Sequence, residues 1–401
     1  MALWQKIRRM SGNKQLANNL LDETQSEVER MQPVNIIVAG KTGSGKSTLI
    51  NALFRENLTE TGVGQPVTQH IQKITKAGVP LTLYDTKGLE LSVEAQHEVL
   101  QSLADLLKEA KAKGPHEEID VVYYCINNLA NRIEAFEVEL IEALAKEVPV
   151  ILVLTQSLSQ EPSELEVYIR SLDLPLAEVV PVLTKDYAIQ AEQIIEAHGL
   201  QSLVDLTLAV IPESSQQAFV NAQRIDLNRK VQDARRWAKR YITTSFGVGF
   251  MPIPMSDAAI LVPMQITMLA HITSIFGLSL DKAQIVSMFA GIGGTGGVTL
   301  LGKTIVSSAF KWVPGLGTVT GGVISGTTAI TLTIALAYSY IEILKQITLA
   351  ESQGRDLPLK EIQRLMNQNL AEHLANAQQF IPQEVKDQLP AWLKGFLDEE
   401  N

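Results

Sequence analysis

The chain has 401 residues, long enough for a second domain beside one of ordinary size. With 46% hydrophobic and 19% charged residues it is too apolar for a disordered protein, and a formal net charge of -10 gives no basic footprint for nucleic acid, which is not an expected partner. Its single cysteine, Cys125, lies in an apolar strand-like run, which excludes a disulfide framework and a zinc site and fits a reducing cytoplasm.

The first segment, residues 1–32, reads as helical. Met1-Ala2-Leu3-Trp4 lacks a cleavable secretory signal and the glycine needed for myristoylation, so any membrane contact is expected from the chain itself. Leu3, Trp4, Ile7 and Met10 share one face while Lys6, Arg8 and Arg9 share another. That pattern suits an interfacial amphipathic helix and equally a helix packed on the protein's own second domain. A further helix is predicted from Leu16, Leu20, Leu21, Val28 and Met31, ending before Pro33.

Residues 33–212 alternate short apolar runs with amphipathic segments. Val34-Asn35-Ile36-Ile37-Val38-Ala39 is a run of buried-strand type. It leads into Gly40-Lys41-Thr42-Gly43-Ser44-Gly45-Lys46-Ser47, which fits G-x-x-x-x-G-K-[ST], and Ser47 to Phe54 then carries apolar residues at helical spacing. The chemistry requires this order. Backbone N–H groups turn inward around an anion, Lys46 reaches the outer phosphates, and the Ser47 hydroxyl is placed to ligate Mg²⁺. Thr48 continues the helix start that completes the cradle.

After the loop, strands are predicted over Ile71 to Thr75, Leu81 to Tyr84, Val121 to Ile126, Val150 to Leu154 and Val179 to Leu183. Helices are predicted over Ser92 to Lys113, Ile133 to Glu147 and near Leu165 to Leu172, with helical turns on to Ile211. Strands separated by helices imply an α/β fold with a doubly wound, mostly parallel sheet covered on both faces, and ligands at the carboxyl ends of the strands.

At one such end stands Asp85-Thr86-Lys87-Gly88, directly after a strand. With the phosphate loop upstream, D-x-x-G here resembles the third box of the translation-factor-like GTPases. The likeness is to Era-like bacterial GTPases of the TrmE-Era-EngA-YihA-Septin type, more distantly to interferon-inducible GTPases. The resemblance implies GTP and GDP as ligands with Mg²⁺. It assigns Asp85 to the Mg²⁺ shell and the Gly88 N–H to the γ-phosphate. Between the boxes, Thr61-Gly62-Val63-Gly64-Gln65-Pro66-Val67-Thr68 resembles switch I, with Thr68 completing a metal set of Ser47, Thr68 and Asp85. Lys46, Thr68 and Gly88 are then the residues expected to carry the hydrolytic step.

The chain departs from that pattern at the base. Where N/T-K-x-D is expected, it has Thr155-Gln156-Ser157-Leu158, without the carboxylate that reads guanine. One strand further, Leu183-Thr184-Lys185 stands where the family has its fifth box, so the candidate base contacts are Thr155, Gln156, Ser157, Thr184 and Lys185. Guanine preference is thus implied by the likeness alone, and ATP use stays open. After Gly88 comes Leu89, which cannot orient water, so slow intrinsic turnover is expected.

Past Pro212 the composition shifts. Arg224, Arg229, Lys230, Arg235, Arg236, Lys239 and Arg240 form a basic approach, after which charge nearly vanishes as far as Lys345. The uncharged segments Ala258 to Leu280, Ala283 to Gly302 and Trp312 to Ile341 are each near bilayer-spanning length. Gly293-x-x-x-Gly297, Gly317-x-x-x-Gly321 and Gly322-x-x-x-Gly326 carry the small-residue spacing of packed membrane helices, while Pro254, Pro263 and Pro314 interrupt the runs. This all-α, glycine-rich region, residues 213–350, resembles the helical domain DUF697. Three readings stand: reversible association with a membrane, a buried helical core, and permanent multi-pass spanning. Residues 351–401 are polar and amphipathic again, with Leu365, Leu370, Leu374 and Phe380 as a docking face. His70 and His97 read as surface residues and His271 as a hydrogen-bonded helix residue.

The combined expectation is a cytoplasmic, membrane-associated GTP-binding switch. Its expected partners are guanine nucleotide, a lipid surface and, in a nucleotide-dependent way, a second copy of the chain. The alternatives are a nucleotide-binding assembly module with negligible hydrolysis and an ATP-using phosphate-loop protein.

Overall fold

The computed structural model describes residues 2–54, 63–68, 71–86, 93–190, 193–247, 258–292 and 326–376. They divide into two compact units, Val28–Asp226 on one side and the described parts of Met1–Glu27 and Leu227–Asn401 on the other.

The first unit is built on a seven-stranded sheet: β1 (Val34–Ala39), β2 (Val63–Pro66), β3 (Ile71–Thr75), β4 (Leu81–Thr86), β5 (Val121–Asn127), β6 (Val150–Thr155) and β7 (Glu178–Val182), in the order β2-β3-β4-β1-β5-β6-β7. Strands β4, β1, β5, β6 and β7 pair in parallel, and β3 runs antiparallel to both β4 and β2. Every residue of β1 and β6 is buried, as central parallel strands covered on both faces require. Two adjacent tyrosines of β5 illustrate the two faces. Tyr124 donates to Glu137 of a helix on one face at 3.4 Å, and Tyr123 hydrogen-bonds Thr207 of a helix on the other at 2.8 Å. On the Tyr124 face, Val99 and Leu103 pack with Leu140, Ile141 and Leu144 against Ile37, Val122 and Leu152.

With α1 (Ala2–Glu29) kept for the other unit, the described helices of this one are α2 (Lys46–Leu53), α3 (Val93–Lys113), α4 (Ala135–Ala145), α5 (Glu164–Ser171), α6 (Leu200–Val210) and α7 (Glu213–Ala222). Three features differ from the sequence expectation. Val63–Pro66, read as part of a switch loop, is an edge strand, where Pro66 is tolerated because one side of the strand needs no donor. Helical turns expected before Ile211 begin only at α6. Ahead of them Tyr187–Gln190 and Gln193–Ile195 pair as a separate antiparallel two-stranded sheet, β8 and β9. Helix α7, assigned by composition to the helical region, belongs to the sheet unit. It is held there by Ser215, whose hydroxyl donates to Asp120 at 2.9 Å, and by Phe219, edge-on to Phe54 at 6.2 Å.

The second unit joins α1 to α8 (Leu227–Gly247), α9 (Ala258–Phe276), α10 (Lys282–Ile292), α11 (Gly326–Ser352) and α12 (Leu359–Ala375). Helix α11 packs on α8, α9 and α12, and α10 packs on α12. Helix α1 is continuous where two helices were expected, because Gly12 costs only about 1 kcal/mol against Ala, too little to end it. The amphipathic face expected at Leu3, Trp4, Ile7 and Met10 rests on side chains outside the described residues.

The interior of this unit is apolar but not purely so. Met268, Leu269, Ile272, Phe276, Ile341 and Leu344 are buried, and so are Gln265, Thr273, Ser274 and Ser339. Thr273 and Tyr340 share a hydrogen bond of 2.7 Å, and the Lys230 ammonium, 1% exposed, donates to the Phe276 carbonyl that ends α9 at 2.7 Å. Trp237 stacks on His271 at 4.0 Å, and His271 meets Glu27 at 2.7 Å; burial pulls the imidazole below its ordinary value, with Glu27 opposing. No described helix is long and apolar enough to cross a membrane. The three Gly-x-x-x-Gly pairs apart from Gly326, residues 293–302 and 312–325 of the two later uncharged segments, and Phe380 lie outside the described residues.

Asp120, 6% exposed at the opening of β5, accepts the Asn35 N–H at 2.8 Å as well as the Ser215 hydroxyl. Burial pushes its carboxyl up to about 6 against those two hydrogen bonds. The folded unit therefore holds a proton that the unfolded chain gives up between the ordinary 3.8 and about 6, so this group favours folding as pH falls through that window. Between about pH 7 and about pH 5, wild type should gain about 1 kcal/mol over Asp120→Asn in denaturant titrations. A constant difference across that range would show that Asp120 takes up no proton there.

Candidate nucleotide-binding site

The loop that closes β1 is shaped by tight approach. Gly40 has φ 137°, and a Cβ on it would stand 2.3 Å from the Cys125 carbonyl oxygen, so no side chain fits. Gly45 has φ 85° and precedes α2 as its N-cap, where a Cβ would stand 3.1 Å from the Thr155 side chain. No side chain caps α2, and no acidic residue stands in its first turn. Its N–H groups are thus free to meet an anion. Lys46 Nζ donates to the Gly40 carbonyl at 2.7 Å and the Lys41 carbonyl at 3.0 Å, lying along the loop that it is to serve. Thr42, Gly43, Ser47 and Thr48 are exposed, whereas Ser44 is buried with its hydroxyl unpartnered among the described residues.

Sheet register brings the third box to this loop. Asp85 stands opposite Val38 in the parallel β1–β4 pair, two residues before Gly40, and is partly exposed at the carboxyl end of β4. Thr68 reaches the same end through β3, since Ile71 pairs with Thr86. Its hydroxyl accepts the Ile71 N–H at 3.1 Å, which closes the turn from β2 into β3. Gly88 and Leu89 lie outside the described residues. Ser47 and Asp85 offer a hydroxyl and a carboxylate, the hard oxygen donors that Mg²⁺ takes alongside phosphate oxygens and water. A single carboxylate suits that arrangement, and among the described residues no cluster of three His, Cys, Asp or Glu forms a cage of its own.

The fourth box serves the loop more than a base. Thr155, 3% exposed, donates its hydroxyl to the Ser44 carbonyl at 2.6 Å, tying β6 to the phosphate loop. Ser157 is fully buried, donating to the Leu154 carbonyl at 2.9 Å and accepting from Asn128 at 3.1 Å. Of the three candidates only Gln156, at φ 53°, presents its side chain to solvent. Thr184 and Lys185 follow β7, the first half-buried and the second exposed.

Sequence reasoning missed Glu134 and Glu137 at the start of α4. The Lys41 ammonium lies 2.5 Å from Glu134 and 3.3 Å from Glu137, so its side chain is turned to these carboxylates. Hydrogen bonding to Lys41 holds the Glu134 carboxyl below its ordinary value. The pair was half legible as a capping box, Glu134 with Glu137 three residues on, but nothing local pointed to Lys41. A cavity of about 450 Å³ opens between this cluster, the loop at Thr42 and Gly43, and Gln96 of α3. Cys125 also lines it, and burial pushes its thiol up to about 12, leaving it unreactive.

Thr155→Val keeps the shape of the side chain and removes the donor to Ser44. It is expected to weaken nucleotide binding about tenfold, the equivalent of about 1.4 kcal/mol. Gly40→Ala, which cannot keep the loop against Cys125, should abolish binding in the same fluorescent-nucleotide titration. Full affinity in Thr155→Val would show that the tether contributes nothing.

Residues 35–156 match the family described as 50S ribosome-binding GTPase. A stretch of 113 residues is 34% identical to Translocase of chloroplast 108 of Physcomitrium patens, covering 27% of this chain and 11% of that protein. Another of 83 residues is 31% identical to GTPase Der of a Ruegeria species, covering 20% of this chain and 17% of that one. The solved structure of a probable GTP-binding protein engB is similar over 44% of this chain and 98% of that one, at 18% identity and a TM-score of 0.30. The chain thus spans under a fifth of the length of these curated relatives. Loop geometry and the matched residues meet in one assignment: this chain carries a GTP-binding P-loop GTPase domain.

Proposed function

We propose that this protein is a slowly hydrolysing GTP switch whose nucleotide state governs a membrane-associating helical region of the DUF697 type. The observation that carries the reading is the open phosphate loop, an uncapped helix start facing a partly exposed Asp85 across one strand pair. Ser47 and Asp85 would hold Mg²⁺, which neutralises phosphate charge when bound. Slow turnover is supported by Leu89, an apolar residue where a water-orienting glutamine is common in such enzymes. Modest base selectivity is supported by Leu158 at the carboxylate position and by Thr155 and Ser157 being engaged elsewhere.

Control of the helical region is supported by the far end of α2. Phe54, which ends that helix, bridges Gln223 in antiparallel fashion, and the Arg224 N–H donates to the Leu53 carbonyl at 2.9 Å. Gln223 is fully buried and accepts the Ile225 and Asp226 N–H groups at 2.6 and 2.8 Å. The helix that begins at Lys46 therefore ends clipped to the segment that runs into α8, so a shift of α2 on nucleotide exchange pulls on that segment directly. Membrane association is supported by the basic residues along α8 and by the weakly charged sequence that follows, which suit an anionic leaflet.

Lys46→Ala should abolish nucleotide binding while the chain stays folded, and binding of a fluorescent nucleotide at wild-type strength would sink the reading. Competition titrations should give GTP only a modest advantage over ATP, because no carboxylate holds the guanine edge. A preference of many thousandfold would mean that another group reads the base. Wild type should float with anionic liposomes more strongly with a non-hydrolysable GTP analogue than with GDP. Flotation that ignores nucleotide would reduce the helical region to a plain anchor.

A further inference from the structure

We infer that Lys41 is a positioning residue for the phosphate loop, acting through Glu134 and Glu137 of α4 rather than on the nucleotide. The inference rests on the nucleotide reading of this loop and adds how the loop keeps its shape. Three anchors hold the loop. Gly40 lies against the Cys125 carbonyl, Thr155 donates to the Ser44 carbonyl, and the Lys41 ammonium sits between two carboxylates. Between the anchors the tip at Thr42 and Gly43 is exposed, and nothing lies within 4 Å of where a Gly43 Cβ would be.

An exposed ion pair would contribute little. This one differs in its inner partner. Glu137 is 3% exposed, its Oε2 also accepts the Glu134 N–H at 3.0 Å, and its Oε1 accepts the Tyr124 hydroxyl at 3.4 Å. Lys41 is the cation within ion-pair distance of that buried carboxylate among the described residues, and a buried charge stripped of its partner is strongly disfavoured. Lys41 is also half of the cradle for Lys46, since its carbonyl receives the Lys46 ammonium. One residue thus has its side chain fixed on α4 and its backbone beneath the phosphate-binding lysine. Releasing the side chain frees the backbone at Gly40 to Thr42, and a loop that must be ordered on binding loses affinity for every phosphate ligand alike. It does not remove a group from the reacting phosphate, so turnover at saturation is retained.

The test uses full-length protein with Lys41→Met, Lys41→Arg and Glu134→Gln, read by fluorescent GDP and GTP titration and by single-turnover hydrolysis at saturating GTP. Lys41→Met should weaken GDP and GTP binding equally, at least tenfold, with the saturated rate within threefold of wild type. Lys41→Arg should recover most of the affinity, because a guanidinium can still meet both carboxylates. Glu134→Gln should weaken binding in the same direction by a smaller factor, and adding it to Lys41→Met should cost little more, as expected of residues in one network. Affinity within twofold of wild type in Lys41→Met overturns the inference. So does a loss of rate at intact affinity, which would put the ammonium on the reacting phosphate, or an equal loss in Lys41→Arg. If Lys41→Met does not fold by circular dichroism, unchanged affinity in Glu134→Gln overturns it. A wild type that binds no guanine nucleotide would sink the nucleotide reading itself, whereas a binding wild type with an indifferent Lys41 sinks only the clamp.

Discussion

The approach of Gly40 to the Cys125 carbonyl is the constraint on which the site depends. It draws the end of β1 against the end of β5, so the loop that follows cannot spread outward and must turn back on itself toward α2. Register does the rest. With β1 paired to β4 on one side and to β5 on the other, Asp85, Cys125 and, through β6, Thr155 all arrive at the same edge of the sheet. A parallel sheet concentrates chemistry at its carboxyl edge because every strand that matters ends there.

Around that edge, polar side chains divide between support and service. Thr155, Ser157, Asn128, Lys41, Glu134 and Glu137 are engaged with one another or with backbone, and they give the loop a defined shape before any ligand arrives. Lys46, lying on the Gly40 and Lys41 carbonyls, stands with Ser47, Thr48 and Asp85 as the groups proposed to meet the ligand. A site preorganised in this way spends less of its interaction energy on ordering itself.

The helical unit follows a different logic. Its low charge and high glycine and threonine content resemble a membrane segment in composition, yet in the described helices polar side chains close on one another inside the unit. Lys230 ends α9, Thr273 meets Tyr340, and His271 is enclosed by Trp237 and Glu27. Such groups are satisfied only while the helices remain packed together, and exposing them to hydrocarbon would leave them without partners.

The sequence by itself determined the phosphate loop, the position of Asp85 after a strand, the alternation that makes a mostly parallel sheet, and the change of character past residue 212. These are local patterns, in which the residues that define the feature are neighbours along the chain or repeat at a fixed period. Tertiary structure alone decided that Val63–Pro66 joins the sheet, that Tyr187–Gln190 pairs with Gln193–Ile195, and that α7 stays with the sheet through Asp120. It also decided that Thr155 and Ser157 serve the backbone and that Lys41 turns to α4. Three of these depend on a partner far away in sequence, Asp120 for Ser215, Ser44 for Thr155 and Glu137 for Lys41, and short-range periodicity carries no information about which distant strand or helix a side chain will meet.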